Sequence, residues 1–377
     1  MTWNIPLFKM YWDQDDLTSV TNTLSSGMNW AVGPEVTQFE QELSDYIGTK
    51  HCLTFNSGTS ALHAALLAHG IGKEDEVIVP SFTFIATANA PLFVGARPVF
   101  ADIEEQTLGL NPDDVLEKIN PNTKAIIPVH YGGCPCKIKE LREIADDHSL
   151  ILIEDAAEAF GASINNEKVG TFGDSAMLSF CQNKIITTGE GGAIVTDSRD
   201  LYEKMKLIRS HGRLETADYF TTCNTMDYVT LGYNFRLSNI LATLGSAQIK
   251  KVEKIIDMRR RIAEKYVNSL HEITSDIIIT KNPENYNHVY QLFSIRAQKR
   301  DKLLEFLALK GIMSKVYFTP VHYSHFYQKE LKYNVSLHVT ERVAEEVISL
   351  PIYPGMQDTE VETVIKEIKD FYYEEKY

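Results

Sequence analysis

The sequence predicts an α/β protein with a large three-layer domain, whose mostly parallel sheet has helices on both faces, and a smaller C-terminal α+β domain. The first observation is length, because 377 residues are too many for one small core. The second is the alternation of short apolar runs with amphipathic segments of about ten to fifteen residues, which is typical of parallel sheets. The third is a change of rhythm after residue 270. We expect a large domain with the N-terminal segment at 1–250 and a small domain at 251–377.

The elements of the large domain follow from this alternation. Two helices with apolar residues at helical spacing come first, and Pro34 suits the first turn of the second. The predicted strands lie at 51–55, 76–80, 97–103, 124–133, 150–157, 175–180 and 191–197. The predicted helices lie at 14–25, 34–47, 56–71, 81–95, 111–119, 137–149 and 198–215.

The small domain is introduced by a long helical stretch at 239–270, which we expect to bridge the two domains. Its predicted strands are 288–297 and 312–318, with an aromatic loop at 319–327. Its predicted helices are 300–311, 339–350 and 359–376.

Composition excludes several classes of function. The formal net charge of −14 argues against nucleic acid or an anionic membrane as the main partner. No apolar run is long enough to span a bilayer, and no signal peptide is recognisable, so a cytoplasmic protein is expected. The odd number of scattered cysteines predicts free thiols and no metal site; these are Cys52, Cys134, Cys136, Cys181 and Cys223.

One lysine organises the chemistry that the sequence suggests. Lys184 lies in the small-residue segment SFCQNKIITTGEGG, and Asp155 ends the apolar run of ILIEDAAEAFGA. A lysine on such a loop is a candidate for covalent chemistry with carbonyl groups, and an acid at the end of a buried strand is a candidate partner for a cofactor's ring nitrogen. Asp155 and Glu158 are also compatible with helix capping or a solvated turn.

A phosphate site is suggested where the strand HCLTF passes into NSGTSALHAALLA. Backbone N–H groups and hydroxyls at a helix N-terminus bind anions, which favours Ser57, Gly58 and Thr59 as phosphate ligands. The alternative is a simple helix cap. In a parallel sheet the carboxyl ends of the strands share one edge, so this turn, the 82–84 loop, Asp155 and Lys184 are expected to lie together.

These parts fit pyridoxal 5'-phosphate. Lys184 would bind the cofactor covalently, Asp155 would keep the ring nitrogen protonated, and the 57–59 turn with Ser179 would hold the phosphate. Phe84 or Phe82 would stack on the ring, although either is also compatible with a core position, and Ala157 would leave room at the opposite face.

The segments NSGTSALHAALLA, PSFTFIATANA, IEDAAEAFGA, SFCQNKIITTGEGG and GYNFRLSN resemble the DegT/StrS-type sugar aminotransferases over nearly the whole chain. The resemblance implies a fold-type I pyridoxal phosphate enzyme. It implies that Lys184 and Asp155 are catalytic and that the remaining cofactor contacts are Ser57, Gly58, Thr59, Phe84, Ala157, Glu158, Ser179 and Asn234. Asn234 resembles a residue that reaches the neighbouring subunit's cofactor, which implies a homodimer with shared active sites.

The resemblance further implies transfer of an amino group from L-glutamate to a nucleotide-linked keto-sugar, giving an amino-sugar nucleotide for polysaccharide or glycan biosynthesis. Glu158, where many members have Gln or His, favours a 4-keto-6-deoxy sugar over a C3-specific reaction. For the substrate we expect Arg236, Arg213, Lys315, His322 and Tyr323, each of which is also compatible with a surface charge or a packed loop. Two other hypotheses are a non-catalytic regulatory relative and a lyase or desulfurase that uses Cys181 or Cys223.

Overall fold

The computed structural model describes residues 3–214, 225–271 and 276–374, so Cys223 lies outside the described residues. The strands within these ranges are β1 (His51–Phe55), β2 (Glu76–Pro80), β3 (Arg97–Ala101), β4 (Thr123–Ile126), β5 (Ile151–Asp155), β6 (Ser163–Ile164), β7 (Glu167–Lys168), β8 (Ser175–Ser179), β9 (Gly192–Thr196), β10 (Ile277–Ile278), β11 (Tyr286–Asn287), β12 (Phe293–Ala297) and β13 (Val347–Leu350).

The helices of the same ranges are α1 (Gln14–Ser25), α2 (Pro34–Ile47), α3 (Gly58–Ala68), α4 (Ile85–Phe93), α5 (Pro112–Lys118), α6 (Ile138–Asp147), α7 (Arg199–Arg209), α8 (Asn239–Ile249), α9 (Val252–Leu270), α10 (Arg300–Leu309), α11 (His338–Glu346) and α12 (Asp358–Glu374). None of these helices is both long and apolar enough to cross a membrane.

The central sheet has the strand order β1-β9-β8-β5-β4-β2-β3. β9 pairs antiparallel with both of its neighbours, and every other neighbouring pair is parallel. Six strands therefore run in one direction, and their carboxyl ends share one edge. The predicted mostly parallel sheet is confirmed.

Helices cover both faces of this sheet. Strand residues such as Ile153 and Ile194 pack with α3, α4 and α7 on one face. On the other face Val195 packs with α2 and α8, and Leu152 packs with α5 and α6. Each fully buried aliphatic side chain of these layers contributes about 1.5–3 kcal/mol. The three-layer architecture predicted from the alternating pattern is present.

A smaller unit is built on the antiparallel sheet β10-β12-β13, which packs against α9, α10 and α12. α9 joins the two cores. Its residues Ile255 and Ile256 pack in a core cluster of the large domain, and Ile262 and Tyr266 pack in the core of the smaller unit. Ile5 also packs in the core of the smaller unit. The boundary at residue 250 stays a prediction.

Several predicted elements differ in the structure. The predicted strands 124–133 and 288–297 form only Thr123–Ile126 and Phe293–Ala297, and the helix predicted at 198–215 ends at Arg209. The stretch 239–270 forms two helices, because the backbone leaves the helical region at Lys251, whose Nζ lies 2.6 Å from Asp13 and from Asp16. The predicted helix 339–350 ends at Glu346, and its last four residues form β13 because they pair with β12. The predicted strand 312–318 makes only single bridges, at Ile312 and Lys315.

Candidate active site

A cavity of about 400 Å³ lies at the carboxyl ends of the strands, and it gathers most of the predicted site residues. Those that line it are Ser57, Gly58, Thr59, Phe84, Asp155, Ala157, Glu158, Ser179, Lys184 and Lys315. They come from distant parts of the chain, and the parallel sheet brings them to one edge.

The turn before α3 has the form of an anion cradle. Ser57 is the N-cap of α3, and its Oγ accepts a hydrogen bond from the Ser60 backbone N–H at 3.1 Å. A Cβ atom on Gly192 would lie 2.5 Å from the Gly58 nitrogen, so only glycine allows β9 to approach the helix N-terminus this closely. The first N–H groups of a helix have no partner within the helix, and they attract anions together with the helix dipole. The predicted cap and the predicted phosphate site are therefore compatible here.

Asp155 is a buried carboxylate at the end of β5. Its Oδ2 accepts a hydrogen bond from Thr87 Oγ1 at 2.7 Å, and its Oδ1 accepts one from the Ala157 N–H at 3.1 Å. Burial raises the pKa of Asp155, while these two donors and the charge of Lys184 oppose the rise. A cation placed in the cavity would therefore stabilise the charged form of Asp155.

Lys184 follows β8 on the loop that returns to β9. Its Nζ lies 3.7 Å from Oε1 of Glu158, and both side chains are largely buried. The other oxygen of Glu158, Oε2, accepts a hydrogen bond from the Gly132 N–H at 2.9 Å. Burial raises the pKa of Glu158, and Lys184 and the Gly132 N–H oppose the rise. An amine beside a carboxylate, with both side chains largely buried, is suited to proton transfer.

The two phenylalanines that the sequence left open occupy different environments. Phe84 precedes α4, is 60% exposed and lines the cavity. Phe82 is fully buried, with its ring centroid 5.0 Å from that of Tyr131. Phe84 is therefore available for stacking, and Phe82 belongs to the core.

Five predicted residues do not line this cavity. Asn234 neighbours the cradle, where its carbonyl accepts a hydrogen bond from the Asn56 side chain at 3.4 Å. Arg236 and Arg213 both donate to Oγ of Ser210, at 3.0 and 3.2 Å. His322 is buried against Ser81, with Nδ1 2.7 Å from Oγ. Tyr323 follows it and is 43% exposed.

Other residues of the site were not singled out from the sequence. Thr87, the hydrogen-bond donor to Asp155, lies in the quoted segment PSFTFIATANA, one helical turn from Phe84. Gly192 lies in the quoted GEGG. Cavity residues such as Asn183 and Tyr317 carry no signal in the sequence alone.

Pyridoxal 5'-phosphate fits this donor set. The glycine-lined N-terminus of α3 suits the phosphate, and the buried Asp155 carboxylate suits the protonated ring nitrogen. Lys184 suits the covalent bond, and the exposed face of Phe84 suits stacking on the ring. No group of three or more His, Cys, Asp or Glu side chains among the described residues is placed to hold a metal ion.

Comparisons with known proteins agree with this chemistry. The sequence model of the DegT/DnrJ/EryC1/StrS aminotransferase family matches residues 11–369. The chain is 36% identical over 373 residues to GDP-perosamine synthase of Vibrio cholerae, covering 98% of this chain and 99% of the relative. It is 35% identical over 360 residues to UDP-N-acetyl-3-dehydro-alpha-D-glucosamine 3-aminotransferase of Acidithiobacillus ferrooxidans, covering 94% of each.

Among solved structures, DesV of S. venezuelae in complex with a ketimine intermediate superposes with a TM-score of 0.90. The two chains are 32% identical, and the match covers 98% of this chain and 99% of DesV.

Fold, cavity and relatives together define a pyridoxal phosphate-dependent aminotransferase of fold type I. The chain belongs to the DegT/DnrJ/EryC1/StrS aminotransferase family.

Proposed function

We propose that this aminotransferase moves an amino group from L-glutamate to a nucleotide-linked 4-keto-6-deoxy sugar, with Lys184 and Asp155 as its catalytic residues. The observation that carries the proposal is the placement of Lys184 Nζ beside Glu158 in the same cavity as the buried carboxylate of Asp155. The product is an amino-sugar nucleotide of the kind used for polysaccharide or glycan biosynthesis.

The residues divide the work as follows. When bound, pyridoxal phosphate supplies an electron sink for the charge that develops when a C–H bond next to nitrogen breaks. Asp155 would hold the protonated ring nitrogen through its charge, and Thr87 and Ala157 fix the orientation of that carboxylate. The N-terminus of α3, with Ser57, would anchor the phosphate.

Lys184 is the proton carrier in this proposal. Its Nζ takes up the α-proton of glutamate and passes it on within the same half-reaction, and in the second half-reaction it delivers a proton to the sugar carbon that receives the amine. Glu158 stabilises the protonated amine, because its Oε1 lies 3.7 Å away in a buried position. The two half-reactions use one site in turn, so ping-pong kinetics are expected.

The choice of substrate is supported by similarity and by one residue. The relative named GDP-perosamine synthase is 36% identical over nearly the full length. The glutamate at position 158, on which the expectation of a 4-keto sugar rests, lies beside Lys184. A C3-specific reaction is the second candidate, since the 3-aminotransferase relative is 35% identical. Lys315 lines the cavity and is our candidate for the substrate's diphosphate, through its charge.

We also propose a homodimer with shared active sites. Large apolar side chains are exposed on the described surface, including Trp30 at 50%, Tyr228 at 58% and Leu231 at 78%. Asn234 and Arg236 lie just beyond the phosphate cradle, where a second copy could bring them to a neighbouring cavity. His322 and Tyr323 would then serve only to hold the loop that flanks the site.

The test is a panel of GDP-, dTDP- and UDP-linked 4-keto-6-deoxy sugars and a UDP-linked 3-keto sugar, each incubated with L-glutamate and read by product mass and NMR. The proposal expects amine only at C4. Amine at C3 supports the second candidate, and no amine transfer from any member of the panel contradicts the proposed substrate class. Size-exclusion chromatography with light scattering tests the dimer.

A further inference from the structure

The segment 289–292, which leads into β12 of the small unit, packs against a tight glycine turn of the large domain. The Val289 N–H donates to the Gly133 carbonyl at 3.1 Å, and the Leu292 N–H donates to the Gly132 carbonyl at 3.0 Å. Gly133 has φ of +98°, and a Cβ atom there would lie 2.7 Å from Cγ2 of Val289. The turn therefore needs glycine both for its backbone and for this close contact.

Within this segment, Gln291 reaches the lysine loop. Its side chain is 4% exposed, and its Nε2 donates a hydrogen bond to the backbone carbonyl of Asn183. Asn183 immediately precedes Lys184, so the bond fixes the peptide from which the lysine side chain starts. The other polar atom of the same amide, Oε1, is buried without a hydrogen-bond partner among the described residues. Burial of an unsatisfied acceptor costs about 1–3 kcal/mol, so this side chain is not there for stability alone.

The same segment also supports the acid that faces the lysine. Gly132, whose carbonyl accepts from Leu292, donates its own N–H to Oε2 of Glu158 at 2.9 Å. One short stretch of the small unit thus fixes both members of the Lys184–Glu158 pair, the lysine through Asn183 and the acid through Gly132.

A buried arginine, Arg259, holds the backbone of segment 289–292 by hydrogen bonds. Nη1 of Arg259, on α9, donates to the carbonyls of Tyr290, Gln291 and Ile352 at 3.1, 3.3 and 3.2 Å. Burial lowers the pKa of Arg259 to about 10, which leaves it charged at neutral pH. These charge-assisted bonds fix the backbone at Gln291 and so limit where its side chain can lie.

We propose that Gln291 is a positioning residue that holds Lys184 beside Glu158, so that the small unit sets the geometry of proton transfer in the large domain. The inference rests on the proposed role of Lys184. Gln291 does not line the cavity, and it acts through the Asn183 carbonyl. Without the bond, the peptide before Lys184 is no longer held, and the 3.7 Å separation of Lys184 Nζ from Oε1 of Glu158 is no longer fixed.

The test compares Gln291→Met with the wild-type holoenzyme. Met keeps the length of the side chain and removes the donor. We expect kcat to fall by about 10- to 100-fold, with KM for both substrates within about twofold. We also expect the midpoint of the pH titration of the bound cofactor's visible absorption band to differ from that of the wild type, because the distance between Lys184 Nζ and Glu158 is no longer fixed. Gln291→Leu, which also removes the NH₂ group and adds no charge, serves the same test if the Met variant does not fold.

Gln248→Leu is the matched control. Gln248 is also buried and donates to a backbone carbonyl, that of Tyr11 at 3.0 Å, at a distance from the cavity. We expect this variant to lower the melting temperature and to leave the titration midpoint unchanged. An unchanged midpoint and kcat in the folded Gln291 variants, with the cofactor still fixed to Lys184 by borohydride, overturns this inference alone. Failure of wild-type protein to fix the cofactor at Lys184 overturns the proposed function instead.

Discussion

Nζ of Lys184 and Oε1 of Glu158 lie 3.7 Å apart in a largely buried setting. Burial raises the pKa of Glu158, and the lysine charge and the Gly132 N–H act against that rise. The pair thus places an amine and a carboxylate in direct electrostatic contact. In the proposed reaction, Lys184 takes up and releases a proton beside this carboxylate within one catalytic cycle.

Replacement of Lys184 by Arg separates charge from proton transfer. Arginine keeps a cation next to Glu158 but stays protonated throughout the accessible pH range. We expect a folded protein whose kcat is lower by about 10²- to 10⁴-fold, because general acid–base catalysis contributes that much. Steady-state kinetics measure it. Lys168→Arg is the control, since Lys168 also pairs with a glutamate, Glu253 at 3.4 Å, on the surface. A Lys184→Arg protein with the turnover of the control contradicts the assigned role.

Asp155→Asn tests the buried acid in two states of the protein. With the cofactor bound, loss of the charge facing the ring nitrogen should reduce kcat by about 10²- to 10³-fold and weaken cofactor binding. Thr87→Val removes the 2.7 Å bond to Asp155 and the 2.9 Å bond to Thr83 but keeps the Asp155 charge, so it should have a smaller effect in the same direction.

Without the cofactor, Asp155→Asn should increase the stability of the folded protein at neutral pH. The folded-state pKa lies above the ordinary value of 3.8, so the folded protein retains a proton that the unfolded chain releases. Stability due to this group therefore falls as pH rises through that window, and Asn removes the fall. Thermal unfolding of both apo proteins between acid and neutral pH measures it. If the variant is less stable than wild type at pH 7 and its stability depends on pH to the same extent, the raised pKa of Asp155 is contradicted.

Gly192→Ala tests the phosphate cradle. The new Cβ would lie 2.5 Å from the Gly58 nitrogen and 2.6 Å from the Ser57 carbonyl carbon, so β9 and α3 must separate. We expect a loss of stability of about 1–3 kcal/mol, typical of overpacking, and weaker cofactor binding. Gly72→Ala is the control, because its Cβ would meet only the Val94 carbonyl oxygen, at 3.9 Å. Equal cofactor affinity of the two variants, measured by fluorescence titration, excludes the cradle as the phosphate site.

The elements of the large domain were predictable because its strands are short and apolar and most of them alternate with helices along the chain. Ser57 to Thr59, Asp155 and Lys184 come together for that reason, since parallel topology aligns the ends of strands that are far apart in sequence. Their spatial proximity needed no knowledge of side-chain packing.

The small unit was less predictable because pairing partners decide its structure. Val347–Leu350 continues an amphipathic pattern and becomes a strand only through β12. The link from Gln291 to Asn183 joins residues 108 positions apart, and no local pattern announces it. His322 was expected at the substrate, but its ring is buried against Ser81. An aromatic loop in sequence does not reveal which of its side chains face a cavity.

Cys181 offers an independent probe of the cavity. It lines the cavity and is partly exposed, whereas Cys52, Cys134 and Cys136 are buried, and burial raises the pKa of each of these three thiols. We expect iodoacetamide to label Cys181 much faster than those three, and bound cofactor to slow the labelling. Mass spectrometry of the cysteine peptides measures the rates. Labelling of Cys181 at the same rate with and without cofactor argues against binding in this cavity.

Borohydride reduction of the protein reconstituted with pyridoxal 5'-phosphate, followed by peptide mass spectrometry, tests the central claim most directly. The prediction is one cofactor fixed per chain, on the peptide that carries Lys184, with loss of the visible absorption band. A cofactor fixed to another lysine, or none fixed at all, contradicts the account.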